Sequence, residues 1–468
     1  MKKFSYFPLL LAFCLLFTFF APSALALDEP ELNAQAAILV DLDSGRVLYE
    51  KSSTEARAPA SLTKIMTVLL ALDAVESGVV TLDTMITAQA DCREGMDEDS
   101  STAGIQPGTE LSLRELLYCA MLKSANEACN IIGSYLGGSV SGFVGLMNQR
   151  AADLGCVNTQ FKNPNGLSAE GHYTSAYDLY LITAAALRHP FFLELCNTKS
   201  YQSASPAVNN GEPMYNSNAL ISSQSDYGAT YLYEYASGVK TGYTRAAGYC
   251  LVSTAEKDGI RVLAVVMGCD GWLNAHIEEY KNFSDTIALY NWCFDNFSYR
   301  TVLSRRDVIT KVDVELAQGE DGVNLYPQNE VQLLLPNDMD LGELERSVSV
   351  YPDRLKAPIE AGSVLGEAHL YVNGYDAAAV RLVNNSQVDL ARGEYMRERI
   401  SDFLSQTWVI TLIVVLGILA AIYIVLVTRY RRLRRKHLKE RRLAEQRRQE
   451  QKRAAQEDFY DGQWKDLY

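Results

Sequence analysis

Of the 468 residues, 57 are Asp or Glu and 43 are Lys or Arg, a formal net charge of -14. The charge is divided unevenly: residues 429–468 hold 14 basic and 7 acidic side chains, and without them and Lys2 and Lys3 the rest carries 27 basic against 50 acidic. A body this acidic argues against nucleic acid as its partner, and it makes any local cluster of lysines stand out as a place to attract a carboxylate.

Met1-Lys2-Lys3, an apolar run over residues 7–20 and Ala24-Leu25-Ala26 read as a secretory signal peptide spanning 1–26, cleaved after Ala26. Residues 33–297 have the length and mixed pattern of one α/β domain. It opens with a hairpin, residues 36–40 and 47–49 flanking Asp41-Leu42-Asp43-Ser44-Gly45. Leu62, Ile65, Met66 and Leu69 recur at helical spacing after Pro59, so Ser61 and Lys64 face the same way near a helix N-terminus. Residues 91–101 are acidic, small and polar, either a mobile loop beside a site or a plain solvated one. A helix carrying Leu113, Leu116, Leu117, Ala120 and Met121 breaks at Lys123-Ser124-Ala125-Asn126 before Ile131 and Ile132 resume the pattern. Residues 236–244 form a strand, followed by apolar runs at 249–253 and 262–267 around the turn Lys257-Asp258-Gly259, so Lys240-Thr241-Gly242 lies on an antiparallel sheet.

From 302 to 390 short strands at 331–335, 348–351, 368–372 and 378–383 alternate with Gly, Pro and Asn, the signal of a small β-sandwich domain. No residue set in it points to chemistry. Residues 391–407, rich in Arg and Glu, read as a helical stalk leading to 408–427, an uncharged apolar run long enough to cross a bilayer once. Arg429, Arg431, Arg432, Arg434, Arg435 and Lys436 follow immediately, which places 428–468 in the cytoplasm and the acidic body outside. That basic tail is expected to touch anionic lipid headgroups, with a cytoplasmic protein partner as the second reading.

The three short motifs together describe one chemistry. A serine hydroxyl is a poor nucleophile at neutral pH and needs a base within hydrogen-bond reach. Lys64 is placed to be that base, provided burial and a second cation, Lys240, bring it down from an ordinary value of about 10.4. Ser124 is suited to relay a proton to a leaving amine, and Asn126 to hold a peptide group. Gly242 lets a substrate backbone approach, the Tyr243 and Ser61 N–H groups are candidates for an oxyanion hole, and Thr241 and Thr244 offer hydroxyls to a terminal carboxylate. Each motif alone is weak; all three in order, in fitting structural contexts, are not. Histidine and metal chemistry fit less well. His172, His189 and His276 are the histidines of this region, with neither a Gly-x-Ser-x-Gly elbow nor His-Glu-x-x-His, so no metal and no cofactor is expected. His172 reads as a loop support. Cys92, Cys119, Cys129, Cys156, Cys196, Cys250, Cys269 and Cys293 lack metal-ligand spacing; an even number outside the cell permits disulfides, of a pairing the sequence does not fix, while several sit in apolar patterns as small buried hydrophobes.

On these residues the chain resembles the low-molecular-mass penicillin-binding proteins, serine D-alanyl-D-alanine carboxypeptidases of peptidase family S11. The likeness runs through Arg57-Ala58-Pro59-Ala60-Ser61-Leu62-Thr63-Lys64-Ile65-Met66-Thr67, Asn163-Pro164-Asn165-Gly166-Leu167 and Gly238-Val239-Lys240-Thr241-Gly242-Tyr243-Thr244. It extends over roughly residues 33–390, with Ala125 standing where many relatives have glycine. The resemblance implies a β-lactamase/transpeptidase-like catalytic domain with an antiparallel sheet. It implies Ser61 as acylated nucleophile, Lys64 as base, Ser124 and Asn126 as the second catalytic element and Lys240 as the third. The implied substrate is the peptidoglycan stem peptide, from which the terminal D-alanine is removed, and β-lactam antibiotics are implied to bind covalently on Ser61. Endopeptidase action on crosslinks and a non-catalytic wall-binding scaffold are the alternatives. Class A β-lactamase is the nearest competitor, but its Glu-x-x-x-Asn segment is matched only by Glu212 to Asn216, read as coincidence.

Overall fold

Ala36–Asp41 (β1) and Val47–Lys51 (β2) form the expected opening hairpin, and the Asp41 carboxylate closes its loop by accepting from the Asp43 and Ser44 N–H groups at 3.2 and 3.3 Å. This computed structural model describes residues 28–271, 279–319, 322–351, 355–372 and 374–464; the expected signal segment, 1–26, lies outside them. The described residues cluster into two compact units, one holding residues up to 304 with 330–346 and 369–379, the other 305–329, 347–368 and 380 onward.

In the first unit a 3-10 turn, Ala60–Thr63, runs directly into helix α1, Lys64–Glu76. Met85–Thr87 (β3) and Glu110–Ser112 (β4) pair across the 88–109 loop. Helix α2, Leu113–Leu122, starts from a capping box in which Ser112 and Glu115 satisfy each other's backbone N–H. Helix α3, Asn126–Gly137, stops at Gly138, whose φ of +70° suits glycine. Then come α4 (Val140–Asp153), α5 (Ala176–Ala186), α6 (Pro190–Asn197) and a short pair, β5 (Ser200–Tyr201) with β6 (Met214–Tyr215). Ala236–Thr244 (β7), Gly248–Lys257 (β8) and Ile260–Cys269 (β9) complete the domain sheet, and Lys281–Asn296 (α7) follows.

The sheet has the order β2-β1-β9-β8-β7 and is antiparallel throughout. Its alternating residues feed two cores. Ile38, Val40, Val252, Leu263 and Val265 pack with α1 to α6, while Ala37, Leu39, Leu251, Ala264 and Val266 pack with Phe283, Leu289 and Tyr290 of α7. Burial on both faces explains why β8 and β9 read as near-continuous apolar runs rather than as alternating ones; each large side chain so buried contributes roughly 1.5–3 kcal/mol. β7 is left as an edge strand, and it lies against the turn that carries Ser61.

Phe297–Leu303 (β10), still in the first unit, pairs antiparallel with β13 (Val331–Pro336). The second unit contributes Thr310–Glu315 (β11) and Gly322–Pro327 (β12), which pair with each other, as well as Leu355–Lys356 (β15). With Glu345–Val350 (β14), Val364–Val372 (β16) and Tyr375–Asn384 (β17) they give a six-stranded sheet of order β14-β16-β17-β12-β11-β15. β10, β11, β12 and β15 are not among the strands named from the sequence; β11 alternates Val312 and Val314 with charged residues, and β12 buries Val323 and Leu325 on alternate positions. Arg392–Ser405 is helical (α8), and Thr407–Trp464 (α9) is one continuous helix. Among the described residues α9 is the helix long and apolar enough to cross a membrane by itself.

Candidate active site

Pro59 leads into the 3-10 turn, Ala60 adopts a φ of +48°, and Ser61 is half-buried. Ala60 and Ser124 both take this left-handed backbone although neither is glycine, a cost of order 1–3 kcal/mol that the surrounding contacts must offset. Lys64, the first residue of α1, is fully buried, and its Nζ lies 2.9 Å from Ser61 Oγ and 2.7 Å from Asn126 Oδ1. It also donates to the main-chain oxygen of Asn165. The three-residue spacing therefore puts Lys64 Nζ against Ser61 Oγ, as a helical turn requires. Thr63 and Thr67 pin the same turn to the 163–172 segment: Thr67 Oγ1 donates to Pro164 O at 2.6 Å, and Thr63 Oγ1 meets His172 Nε2 at 2.9 Å.

The second motif sits at the predicted break. α2 ends at Leu122, Ser124 has a φ of +58°, and Ala125 is the extended residue before α3. Asn126 opens α3 with its N–H donating to Ser101 O at 2.9 Å and its side-chain oxygen turned to Lys64. Ser124 is buried beside it. Glu127, also buried, accepts at Oε1 from Thr102 Oγ1 and the Ala103 and Ile105 N–H groups, so the end of the acidic loop is tied to the first turn of α3.

Lys240-Thr241-Gly242 lies on β7 as expected. Lys240 is buried and its Nζ donates to Thr241 O at 3.1 Å. Thr241 Oγ1 is 2.7 Å from Ser217 Oγ. A side chain built on Gly242 would meet Ser61 N at 3.2 Å, so the edge strand lies directly against Ser61. Tyr243 is half-exposed and stacked on Tyr249, and Thr244 Oγ1 accepts from Ala247 N at 3.1 Å. Thr244 also lines a cavity of about 70 Å³ with Ala60, Gly166, Leu167 and His172.

Burial lowers Lys64 to about 8 and Lys240 to about 7. The sequence assigned the depression of Lys64 partly to the charge of Lys240. Desolvation is the main cause at both lysines, the repulsion between the two amines adds to it, and Cys129, once ionised, and Glu127 act on Lys64 in the opposite sense. Burial pushes the Cys129 thiol up to about 11, so no thiolate competes at neutral pH. All eight described cysteines are free. His172 is held down to about 4 by burial and by Lys162, accepts from Lys162 N at Nδ1 and is a neutral clamp, in line with the loop-support reading. Asn216 donates to Cys196 O and Thr198 O, a structural task, and Glu212 is exposed. Asn165, Ser217 and Glu127 were missed by sequence reasoning. Asn165 acts through a main-chain oxygen, which residue type does not signal.

A five-stranded antiparallel sheet flanked by helices, with a buried lysine on a turn serine and a Lys-Thr-Gly edge strand beside it, defines the penicillin-binding class of serine enzymes. The profile of the D-alanyl-D-alanine carboxypeptidase family, peptidase S11, matches residues 23–271, and that of the penicillin-binding protein 5 C-terminal domain matches 297–390. The chain belongs to this family. It is 32% identical to D-alanyl-D-alanine carboxypeptidase DacF of Bacillus subtilis over 76% of this chain and 87% of that one. It is 30% identical to DacC of Escherichia coli over 76% and 85%. Penicillin binding protein 5 from Haemophilus influenzae superposes with a TM-score of 0.58 at 26% identity, covering 77% of this chain and 98% of that one.

Proposed function

We propose that this chain is an exported, membrane-anchored serine DD-carboxypeptidase that removes the terminal D-alanine of peptidoglycan pentapeptide stems. The observation that carries the mechanism is the fully buried Lys64 Nζ 2.9 Å from Ser61 Oγ. Ser61 Oγ attacks the carbonyl carbon of the penultimate D-alanine while its proton passes to neutral Lys64, and the carbonyl electron pair moves to oxygen, where the Ser61 and Tyr243 N–H groups receive it. The oxyanion then collapses, the C–N bond to the terminal D-alanine breaks, and the proton taken by Lys64 passes through Ser124, with Lys240 as the third motif's cation, to the departing amine. Asn126 holds the stem-peptide amide, and Thr241 and Thr244 take the terminal carboxylate. Water then hydrolyses the acyl-enzyme. A β-lactam ring opened by the same serine blocks it.

The assigned parts are a signal peptide (1–26), a catalytic domain (33–297), a β-rich domain (302–390), a stalk (391–407), a span (408–427) and a basic cytoplasmic tail (428–468). Supporting this topology is α9, whose apolar 408–427 stretch precedes a cluster of arginines. The test uses the full chain in detergent with a synthetic pentapeptide, following free D-alanine, and fluorescent penicillin labelling of wild type and Ser61→Ala. Release of D-alanine with labelling that vanishes in Ser61→Ala is expected. Cleavage of crosslinked dimers alone would make it an endopeptidase, and a folded wild type that neither labels nor hydrolyses would leave a wall-binding scaffold.

A further inference from the structure

A neutral amine has two N–H bonds and one lone pair, and only the lone pair can take the proton of Ser61. Three oxygens surround Lys64 Nζ within hydrogen-bond reach: Ser61 Oγ, Asn126 Oδ1 and the main-chain oxygen of Asn165. The last two are carbonyl oxygens, which accept and never donate. Each therefore holds one N–H, and the lone pair is left facing the serine hydroxyl. The aim of the base depends on where those two carbonyls stand.

Asn126 is fixed as the first residue of α3. Asn165 belongs to a segment with no helix or strand, so its side chain has to do the holding. Its Oδ1 accepts from Leu167 N at 3.0 Å and its Nδ2 donates to Asn130 Oδ1 at 3.0 Å. Asn130, one turn along α3 from Asn126, spends both its own N–H bonds on Cys92 O and Glu94 O at 3.0 and 3.3 Å. Those two carbonyls decide which end of the Asn130 amide faces Asn165. Both asparagines are 3% exposed, so these bonds form away from competing water.

We propose that Asn130 is a positioning residue for the acylation step: through Asn165 it holds the main-chain oxygen that takes one Lys64 N–H, and so aims the lysine lone pair at Ser61. The proposal rests on Lys64 acting as the base. In that step the Ser61 O–H bond breaks, its proton joins Lys64 Nζ, and Ser61 Oγ bonds the substrate carbonyl carbon.

The test is stopped-flow acylation of the full chain in detergent by a fluorescent penicillin across pH, with the labelled end point recorded. Asn130→Leu, nearly the same size, lowers the plateau rate about tenfold or more while the end point stays complete. Its acid limb moves to lower pH, because the ammonium loses a charge-assisted acceptor that the neutral amine uses more weakly. Lys240, Glu127 and Cys129, the charged and titratable groups acting on Lys64, are the same in Asn130→Leu and Asn165→Leu, which are the variants whose acid limbs are compared. Loss of folded protein would lower the end point and leave the limb in place. Asn130→Asp keeps the oxygen that Asn165 needs and restores the plateau to within about threefold of wild type. Asn165→Leu reproduces the defect, and the double variant with Asn130→Leu is no slower than either. A wild-type plateau in Asn130→Leu, equal slowing in Asn130→Asp, or additive losses would overturn the proposal. A Lys64→Ala chain that acylates normally would instead overturn the lysine-base reading itself.

Discussion

Gly166 offers the sharpest measurement of how tightly the nucleophile is held from outside its own turn. Its φ is +90°, and a Cβ there would lie 1.9 Å from Ala60 O and 2.5 Å from Ala60 C. Real Cβ contacts stay beyond 3.0 Å, so Gly166→Ala has to open roughly 1 Å between the 163–172 segment and the residue preceding Ser61. Misplacing a reacting group by about 1 Å costs on the order of 10²-fold in rate. Gly171→Ala is the control: its φ of +75° carries the same backbone penalty of about 1–2 kcal/mol, but its Cβ would meet only Lys162 Cε at 3.1 Å and Nζ at 3.7 Å, the end of a flexible side chain. Thermal melting should show both variants destabilised, Gly166→Ala more. Acylation by a fluorescent penicillin should fall roughly 100-fold in Gly166→Ala and stay within about threefold of wild type in Gly171→Ala. If the two variants acylate at similar rates, the nucleophile turn is not braced by Gly166 and the steric reasoning is wrong.

Only neutral Lys64 can accept the serine proton, so with Lys64 at about 8 and Lys240 at about 7 the acylation rate rises through this range and levels off above it; a rate flat from pH 6 to about 9 would contradict that requirement. The same depression makes stability pH-dependent. Between about 7 and the ordinary 10.5 the unfolded chain binds more protons, so the stability present at high pH is lost as pH falls toward 7, and Lys240→Met should flatten that slope in melts at pH 7 and 9. Ser217→Ala frees the Thr241 hydroxyl held at 2.7 Å; losing one neutral hydrogen bond of ~0.5–1.5 kcal/mol raises KM for a D-alanine-terminated peptide about two- to tenfold with kcat nearly unchanged, and a fall confined to kcat would contradict a binding role. Gly242→Ala puts a methyl 3.2 Å from Ser61 N and 3.3 Å from Ala60 Cβ and Leu62 Cγ, so acylation should drop about tenfold with little change in melting temperature, whereas full activity would place the oxyanion elsewhere.

What the sequence made legible follows from how each feature is encoded. Ser61 and Lys64 were readable because helical spacing alone brings them together, and the Ser124 break and the Lys257-Asp258-Gly259 turn because backbone conformations with positive φ leave a mark on composition: Asp258 and Gly259 have φ of +53° and +81°. The opening hairpin and the edge position of Lys240 followed from apolar periodicity and a turn. β10 carries no clear period, since its middle residues are nearly all partly buried, while β11 and β12 do alternate, Val312 and Val314 with charged residues and Val323 and Leu325 with Asn324, but over only six residues each.

The electrostatic part of the site was legible only in kind. Two lysines in three motifs suggest an amine as the proposed base, but the cause of the depressed affinity of Lys64 for protons lies in long-range packing. Lys64 is enclosed by Asn126, 62 residues on, and by the Asn165 carbonyl, 101 residues on. A carbonyl oxygen belongs to every residue, so a pattern of side chains cannot reveal which one is used. This is also why the segment 163–167 matters beyond its turn: Asn163 Oδ1 holds Gly166 N at 2.7 Å and Asn165 Oδ1 holds Leu167 N at 3.0 Å, and these two bonds shape a loop whose main chain, not its side chains, faces the lysine. A base built this way needs its acceptors fixed to within a fraction of an ångström. The buried amides of Asn130 and Asn165 supply that rigidity where no regular secondary structure can.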